Sequence, residues 1–458
     1  MPVDLKATLI DPTDPIYKSL LDNLQGNIIK AHGRMHTASL FLQFTGTPAM
    51  VKKWISDFSK QYVTSTAAQI EQAKRYRNKE DGGIFGNFFL TALGYQHSQL
   101  GTIPRDRQAS FNAGMKNAKI QERLGDPPVE QWEGGFQQNI HALAFLADDD
   151  EARLRATCDT VTTSLNGVAT VLTKEHGMRW LNAEGKDIEP FGYRDGVSQP
   201  VFLKGSAEAP DEYSRWDPSA PLELVLVEDP NVPGRDCYGS FLVFRKLEED
   251  VGRFNQQVST LAAALGTTPD LAGAYVVGRF KDGTPVTLSD RPGTTEPRQH
   301  IDFDYEQDPD GARCPFHAHI RKANPRGDTG RFAQPGIPLE QERRHRIARR
   351  GQPYGNPNGG TVGLLFLCFQ SDISLQFEFI QSIWANAIHF VKMNGGLDGV
   401  IGQGTQVPDG PRWCKTYGSL DETIPFDFSN VIKLRGGDYF FAPSVAFLQE
   451  LGTAGSAR

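Results

Sequence analysis

Ser39-Leu40-Phe41-Leu42-Gln43-Phe44 is an apolar run of strand length. Thr47-Pro48 follows it, and Ala49 to Tyr62 then carries helical spacing. A threonine before proline reads as a helix cap and a first-turn residue: the hydroxyl accepts from a free amide, and proline has no amide to leave unpaired. The same order recurs three more times. His141 to Leu146 is followed by Asp148-Asp149-Asp150 and the helical stretch Glu151 to Leu165. Acidic residues suit that helix start. Ser240 to Arg245 leads into Glu248 to Leu265, and Gly363 to Phe369 leads through Ser371-Asp372 into Ile373 to Ala387. Four strand–helix units predict two βαββαβ, ferredoxin-like halves in tandem. The class is α+β, antiparallel sheets with helices on their outer faces. A single mixed α/β sheet is the competing arrangement.

The stretch from Ser206 to Pro233 is rich in Pro, Asp and Glu and reads as a linker. This gives an N-terminal half over 1–205, a linker over 206–233 and a C-terminal half over 234–458. Ser289 to Arg298 and Gly327 to Pro338 read as loops. Gly351 to Gly360, mostly Gly, Pro and Asn, reads as another, and loops on a rigid scaffold are where sites concentrate.

The 458 residues are 39% hydrophobic and 22% charged, normal for a soluble globular chain. A net charge of −7 argues against phosphate-backbone binding as the main activity. One basic run, Arg343, Arg344, Arg346, Arg349 and Arg350, is either a solvated helix face or the wall of an anion-facing pocket. The five cysteines, Cys158, Cys237, Cys314, Cys368 and Cys414, form no Cys-x-x-Cys pair. That pattern fits reduced thiols and a cytoplasmic setting, with an extracellular one disfavoured. The first residues have no basic segment leading into an apolar run, and no apolar stretch is long enough to span a membrane.

Three stretches carry the chemistry. Phe191-Gly192-Tyr193-Arg194-Asp195-Gly196 places one carboxylate on a turn between two glycines. Taken alone, an Asp-Gly pair is most often an ordinary turn. Cys314-Pro315-Phe316-His317-Ala318-His319-Ile320-Arg321-Lys322-Ala323-Asn324-Pro325-Arg326 is the second, and His345-Arg346-Ile347-Ala348-Arg349-Arg350-Gly351-Gln352-Pro353-Tyr354-Gly355 the third. His317 and His319, spaced as on one strand face, read on the bare sequence as either metal ligands or structural residues.

Together, and in this order, the three stretches resemble the dye-decolourising peroxidases, a haem peroxidase family, in its branch with long insertions. Leu24-Gln25-Gly26-Asn27-Ile28-Ile29-Lys30 and Tyr439-Phe440-Phe441-Ala442-Pro443-Ser444 resemble that family's two ends, so the resemblance spans nearly the whole chain. It implies two ferredoxin-like halves and one haem b per chain, with the C-terminal half holding most of it. Cys-x-x-Cys-His is absent, so the haem is expected to be held non-covalently.

The resemblance assigns His319 to the haem iron, with His317 a neighbour. Asp195 becomes the group that moves a proton between peroxide oxygens, and a carboxylate there favours acidic conditions. Arg349, rather than Arg350, becomes the fixed distal cation. Arg326 is expected on a haem propionate. The free nitrogen of the ligand histidine needs a carboxylate; Asp427 is the first choice and Asp438 the second. Leu365, Phe366 and Leu367 read as the dry distal wall or as plain core. Tyr354 is the candidate surface residue for passing electrons to bulky dyes, with Trp384 and Trp413 behind it.

The leading expectation is a haem peroxidase that uses hydrogen peroxide to oxidise dyes, phenols and other aromatic reductants. A haem-binding or haem-processing protein of the same fold with little turnover is the alternative. A third class, a metal-dependent oxygenase built on His317 and His319, needs further ligands at a recognisable spacing.

Overall fold

In the computed structural model, which describes residues 3–205, 213–408 and 410–452, the Thr47 hydroxyl accepts from the Met50 amide at 3.4 Å. It caps α1 (Pro48–Tyr62), which follows strand β1 (His36–Phe44) as the sequence predicts. Strand β2 (Phe85–Leu90) comes next. Asp150 likewise caps α2 (Glu151–Ser164) after β3 (Ala142–Asp148), and β4 (Ala169–Met178) ends this half. The second half repeats the pattern with β5 (Tyr238–Glu249), α3 (Val251–Leu265), β6 (Gln352–Tyr354), β7 (Gly363–Gln370) and β8 (Ile432–Ala442). The fourth expected helix is shorter, Phe377–Phe379 running into a π turn at Ile380–Ala385.

Strand order shows how the halves join. The first half runs β4-β1-β3-β2 and the second β8-β5-β7-β6, the same antiparallel order twice. One pair, Phe441 with Leu90, links β8 to β2, so both halves belong to one antiparallel sheet. Its outer strands β4 and β6 lie against each other, and Gln352 packs where a Cβ on Gly177 would sit. Phe41, Phe136, Phe244 and Phe440 form an aromatic centre that ties the halves together. Burying such rings stabilises each contact by about 0.5–1.5 kcal/mol beyond area alone.

Two stretches differ from the sequence reading. The expected linker is packed where it is described: Leu222, Leu224, Val225 and Leu226 lie in the main core, and Val227–Glu228 pairs with β5. Its residues 206–212 lie outside the described residues. The loop expected over Gly351 to Gly360 begins as strand β6, because Gln352 to Tyr354 register against β7. No helix of the described residues is long and apolar enough to cross a membrane.

Candidate active site

The segment 195–199 is the junction of the site. Gly192 (φ +90°) and Gly196 (φ +74°) take left-handed backbone on either side of Asp195, the role expected of them. Ser198 does so as well (φ +63°), at a strain cost that a non-glycine bears only where its surroundings enforce it. Asp195 Oδ1 accepts from the Gly196 amide at 2.6 Å, and the Asp195 amide donates to Asp187 O at 3.0 Å. Two further motifs then close on this turn. Arg349 Nη2 donates to Val197 O and its amide to Gln199 Oε1, both at 3.1 Å. Arg326 Nη2 donates to Ser198 Oγ at 2.8 Å. Asp195 and Arg349 line one cavity of about 320 Å³, with His32, Arg179 and Gln199 among its other walls. No ion pair joins them among the described residues, so the carboxylate is not locked by the cation.

Strand register decides which side chains share a face with Arg349. Arg349 pairs with Cys368 of β7, and directly opposed residues point to one side. Alternation places Phe366 and Leu364 on that side too. These two are part-exposed, whereas Leu365 and Leu367 are 1% and 3% exposed inside the main core. Of the two readings open for this strand, Leu365 and Leu367 are plain core, and Phe366, with Leu364, lies on the Arg349 face. Tyr354 pairs with Gly363 and so shares the Leu365 face. It is 8% exposed, its ring lies 5.0 Å from Lys246 Nζ, and its hydroxyl has no hydrogen-bond partner among the described residues. Tyr354 is thus an interior strand residue and not the surface loop residue expected. Trp384 and Trp413 are buried as well.

His319 opens helix α4 (His319–Ala323). That short helix is pinned by the charges that follow it. Buried Arg321 pairs with Asp308 and Asp328 at 2.9 and 2.8 Å, and Lys322 donates to Ala387 O and Phe390 O. His319 Nδ1 faces Asp398 Oδ2 at 2.9 Å. Asp398 is buried and also accepts from the Val400 and Ile401 amides. Burial works against its charge, but His319 and these amides outweigh that and hold its carboxyl below the usual range. The partner expected at Asp427 or Asp438 is therefore Asp398. Asp427 is exposed, and Asp438 pairs with Lys116 at 2.8 Å. His317 is not on a strand with His319. It packs against Trp413, its Nδ1 donates to Gly395 O, and burial pushes it down to about 3, so it stays neutral.

The basic run is no solvated helix face. Arg346 and Arg350 are held by backbone carbonyls. Arg326 and Arg279, the latter unanticipated, are buried with only carbonyl and hydroxyl acceptors, including the shared Ser198 Oγ. Burial pushes Arg279 down to about 9 and Arg326 to about 10, a cost that a nearby anion would offset. A haem fits this donor set. His319 offers Nε2, which makes no hydrogen bond among the described residues, while Nδ1 is oriented by a carboxylate. The buried arginines suit acidic side groups.

Comparison with known proteins points to one family. Residues 274–389 match the model of the Dyp-type peroxidase C-terminal family. The chain is 41% identical to the multifunctional dye peroxidase DyP2 of Amycolatopsis sp., over 98% of this chain and 100% of that one. It is 28% identical to the dye-decolorizing peroxidase msp1 of Mycetinis scorodonius, over 94% and 87%. The crystal structure of an Anabaena sp. DyP-type peroxidase superposes with a TM-score of 0.91 at 45% identity, covering 98% of this chain and 99% of that one. The DyP2 structure gives 0.90 at 39%, covering 98% and 100%. This fold, the matched C-terminal model and relatives alike from end to end make the chain a member of the DyP-type peroxidase family.

Proposed function

We propose that this enzyme holds one haem b per chain non-covalently and uses hydrogen peroxide to oxidise dyes, phenols and other aromatic small molecules. One observation carries the reading: the turn bearing Asp195 is hydrogen-bonded to both Arg349 and Arg326. His319 Nε2 is the iron ligand, and Asp398 keeps the imidazole electron-rich. Arg326 and Arg279 hold the propionates. The C-terminal half, 234–458, supplies all four of these residues, and Asp195 reaches in from the first half.

Bound there, haem supplies the redox chemistry that reduces peroxide and oxidises the reductant. The chain moves the protons. With haem bound, Asp195 Oδ2, free of the Gly196 bond, would take a proton from hydrogen peroxide and pass it to the oxygen that leaves as water. Arg349 stabilises the negative charge that develops on the departing oxygen. Leu364 and Phe366 keep that side apolar. Carriage of haem alone needs neither Asp195 nor Arg349, which favours turnover over the alternative. Five free, buried cysteines suit a reducing, cytoplasmic setting.

The test is an absorption spectrum before and after one equivalent of hydrogen peroxide, followed by stopped-flow rates. Asp195→Asn and Arg349→Leu are expected to keep the Soret band and to slow the peroxide step about a hundredfold or more. Unchanged rates in both variants would sink the distal pair.

A further inference from the structure

Behind Asp195 lies a carboxyl pair that the peroxide chemistry does not use. Glu189 closes on residues 191–193. Its side chain accepts from the Phe191 and Tyr193 amides at 2.8 and 2.7 Å. Its amide donates to Tyr193 O at 3.0 Å, and its carbonyl accepts from Gly192 at 2.8 Å. The closed turn is anchored to the second half. Phe191 stacks on Phe254 of α3 at 4.2 Å, and Tyr193 Oη packs where a Cβ on Gly273 would sit. Only Arg194 separates this clamp from Asp195.

Glu249, the last residue of β5, meets the Glu189 carboxyl. It is 5% exposed, and its Oε2 has no partner among the described residues. Two carboxyl groups in contact do not both ionise without large repulsion. Among the described residues no cation pairs with either. The nearby charges are committed elsewhere: Asp187 to Arg179, Glu248 to Arg435, and Asp250 to the Arg253 amide as a helix cap. Lys281 lies over the Tyr193 ring at 5.9 Å. Arg194, between the clamp and Asp195, has a buried Nε with no hydrogen-bond partner among the described residues, and Asp195 itself acts on both carboxyls.

We propose that Glu189 and Glu249 are positioning residues for Asp195, sharing one proton, with Glu249 donating it to Glu189 and Glu189 holding the turn. This rests on the reading of Asp195 given above. The proton accounts for the unpartnered oxygen, because a carboxylic acid turns an acceptor into a donor. It also leaves one negative charge on the pair, where two would press on Asp195. Burial first, and then each other and Asp195, raise both carboxyls above the usual carboxylate range.

The sign follows. A carboxyl whose folded pKa is raised keeps its proton where the unfolded chain, titrating near 4.3, has lost it. Its stabilising contribution is complete below that range and is lost as pH rises through the raised value. The melting temperature of the holoenzyme should therefore fall from pH 5 to pH 9 more steeply in the wild type than in Glu249→Gln, which keeps a donor and cannot titrate. Glu189→Gln cannot accept from both amides and should slow the peroxide step about tenfold to a hundredfold with haem retained, the scale of a small misplacement. In the Asp195→Asn background that slowing should vanish, because the clamp acts through Asp195. Matching stability profiles for the wild type and Glu249→Gln would overturn the shared proton. Equal slowing by Glu189→Gln in both backgrounds would overturn the positioning role. The stability profiles do not depend on Asp195 catalysing anything, so they separate failure of the pair from failure of the peroxidase reading.

Discussion

His319 donates from Nδ1 to a buried carboxylate that two backbone amides also hold, so the imidazole is fixed in tautomer and direction. Asp398→Asn keeps the shape and removes the charge. It is expected to weaken haem retention about tenfold to a hundredfold and to raise the reduction potential of the bound iron. Haem titration and a redox titration check this, and no change in either would place Asp398 outside the iron's influence. Asp195, His319, Arg326 and Arg349 could be singled out in sequence because each sits in a stretch that resembles a family motif. Asp398 was not, because it lies 79 positions from His319 and looks in sequence like any Asp-Gly turn. Ser198 and Gln199 sat in plain view beside Asp195, but only the folded turn shows that they tie it to Arg326 and Arg349.

Strand β7 carries two faces with different duties, and its register separates them. Leu367 is core, and truncating it should cost about 2–5 kcal/mol. Phe366 is part-exposed on the Arg349 face, so Phe366→Ala should cost less stability and yet change the rate of the peroxide step. Urea unfolding and stopped-flow kinetics on the two variants distinguish the faces; the reverse pattern would mean that the site lies on the Leu367 side. A run as apolar as Gly363 to Phe369 gives no alternation to read, which is why the sequence left its two faces undecided. The strand–helix units were legible from caps and periodicity. Strand β4 hid because Lys174, Glu175 and His176 break its apolar run, and β6 because three residues with a proline look like loop. Tyr354 was misplaced for the same reason: a loop residue reaches solvent, whereas a strand residue goes where its register sends it.

Over the whole molecule, two copies of one strand order merge into a single sheet, and the site collects side chains from both. The chain carries −7 overall, yet buries Arg279 and Arg326 against carbonyls and a hydroxyl. Burying cations without carboxylate partners costs stability until an anion arrives. Haem supplies that charge along with its apolar surface, so its removal should lower the melting temperature. A ligand present at a hundred times its dissociation constant stabilises by about 2.7 kcal/mol. Sulfate should then recover part of the loss in the haem-free protein by occupying the arginines. Sulfate also stabilises folded proteins in general, so the measurement is the difference between its effects on the haem-free and haem-bound forms, against chloride at equal ionic strength. The excess for the haem-free form should shrink in Arg326→Leu, because one of the cations that holds the ion is gone. Equal effects of sulfate on both forms would mean that these arginines are satisfied by the backbone alone and that haem is held by His319 and apolar contact.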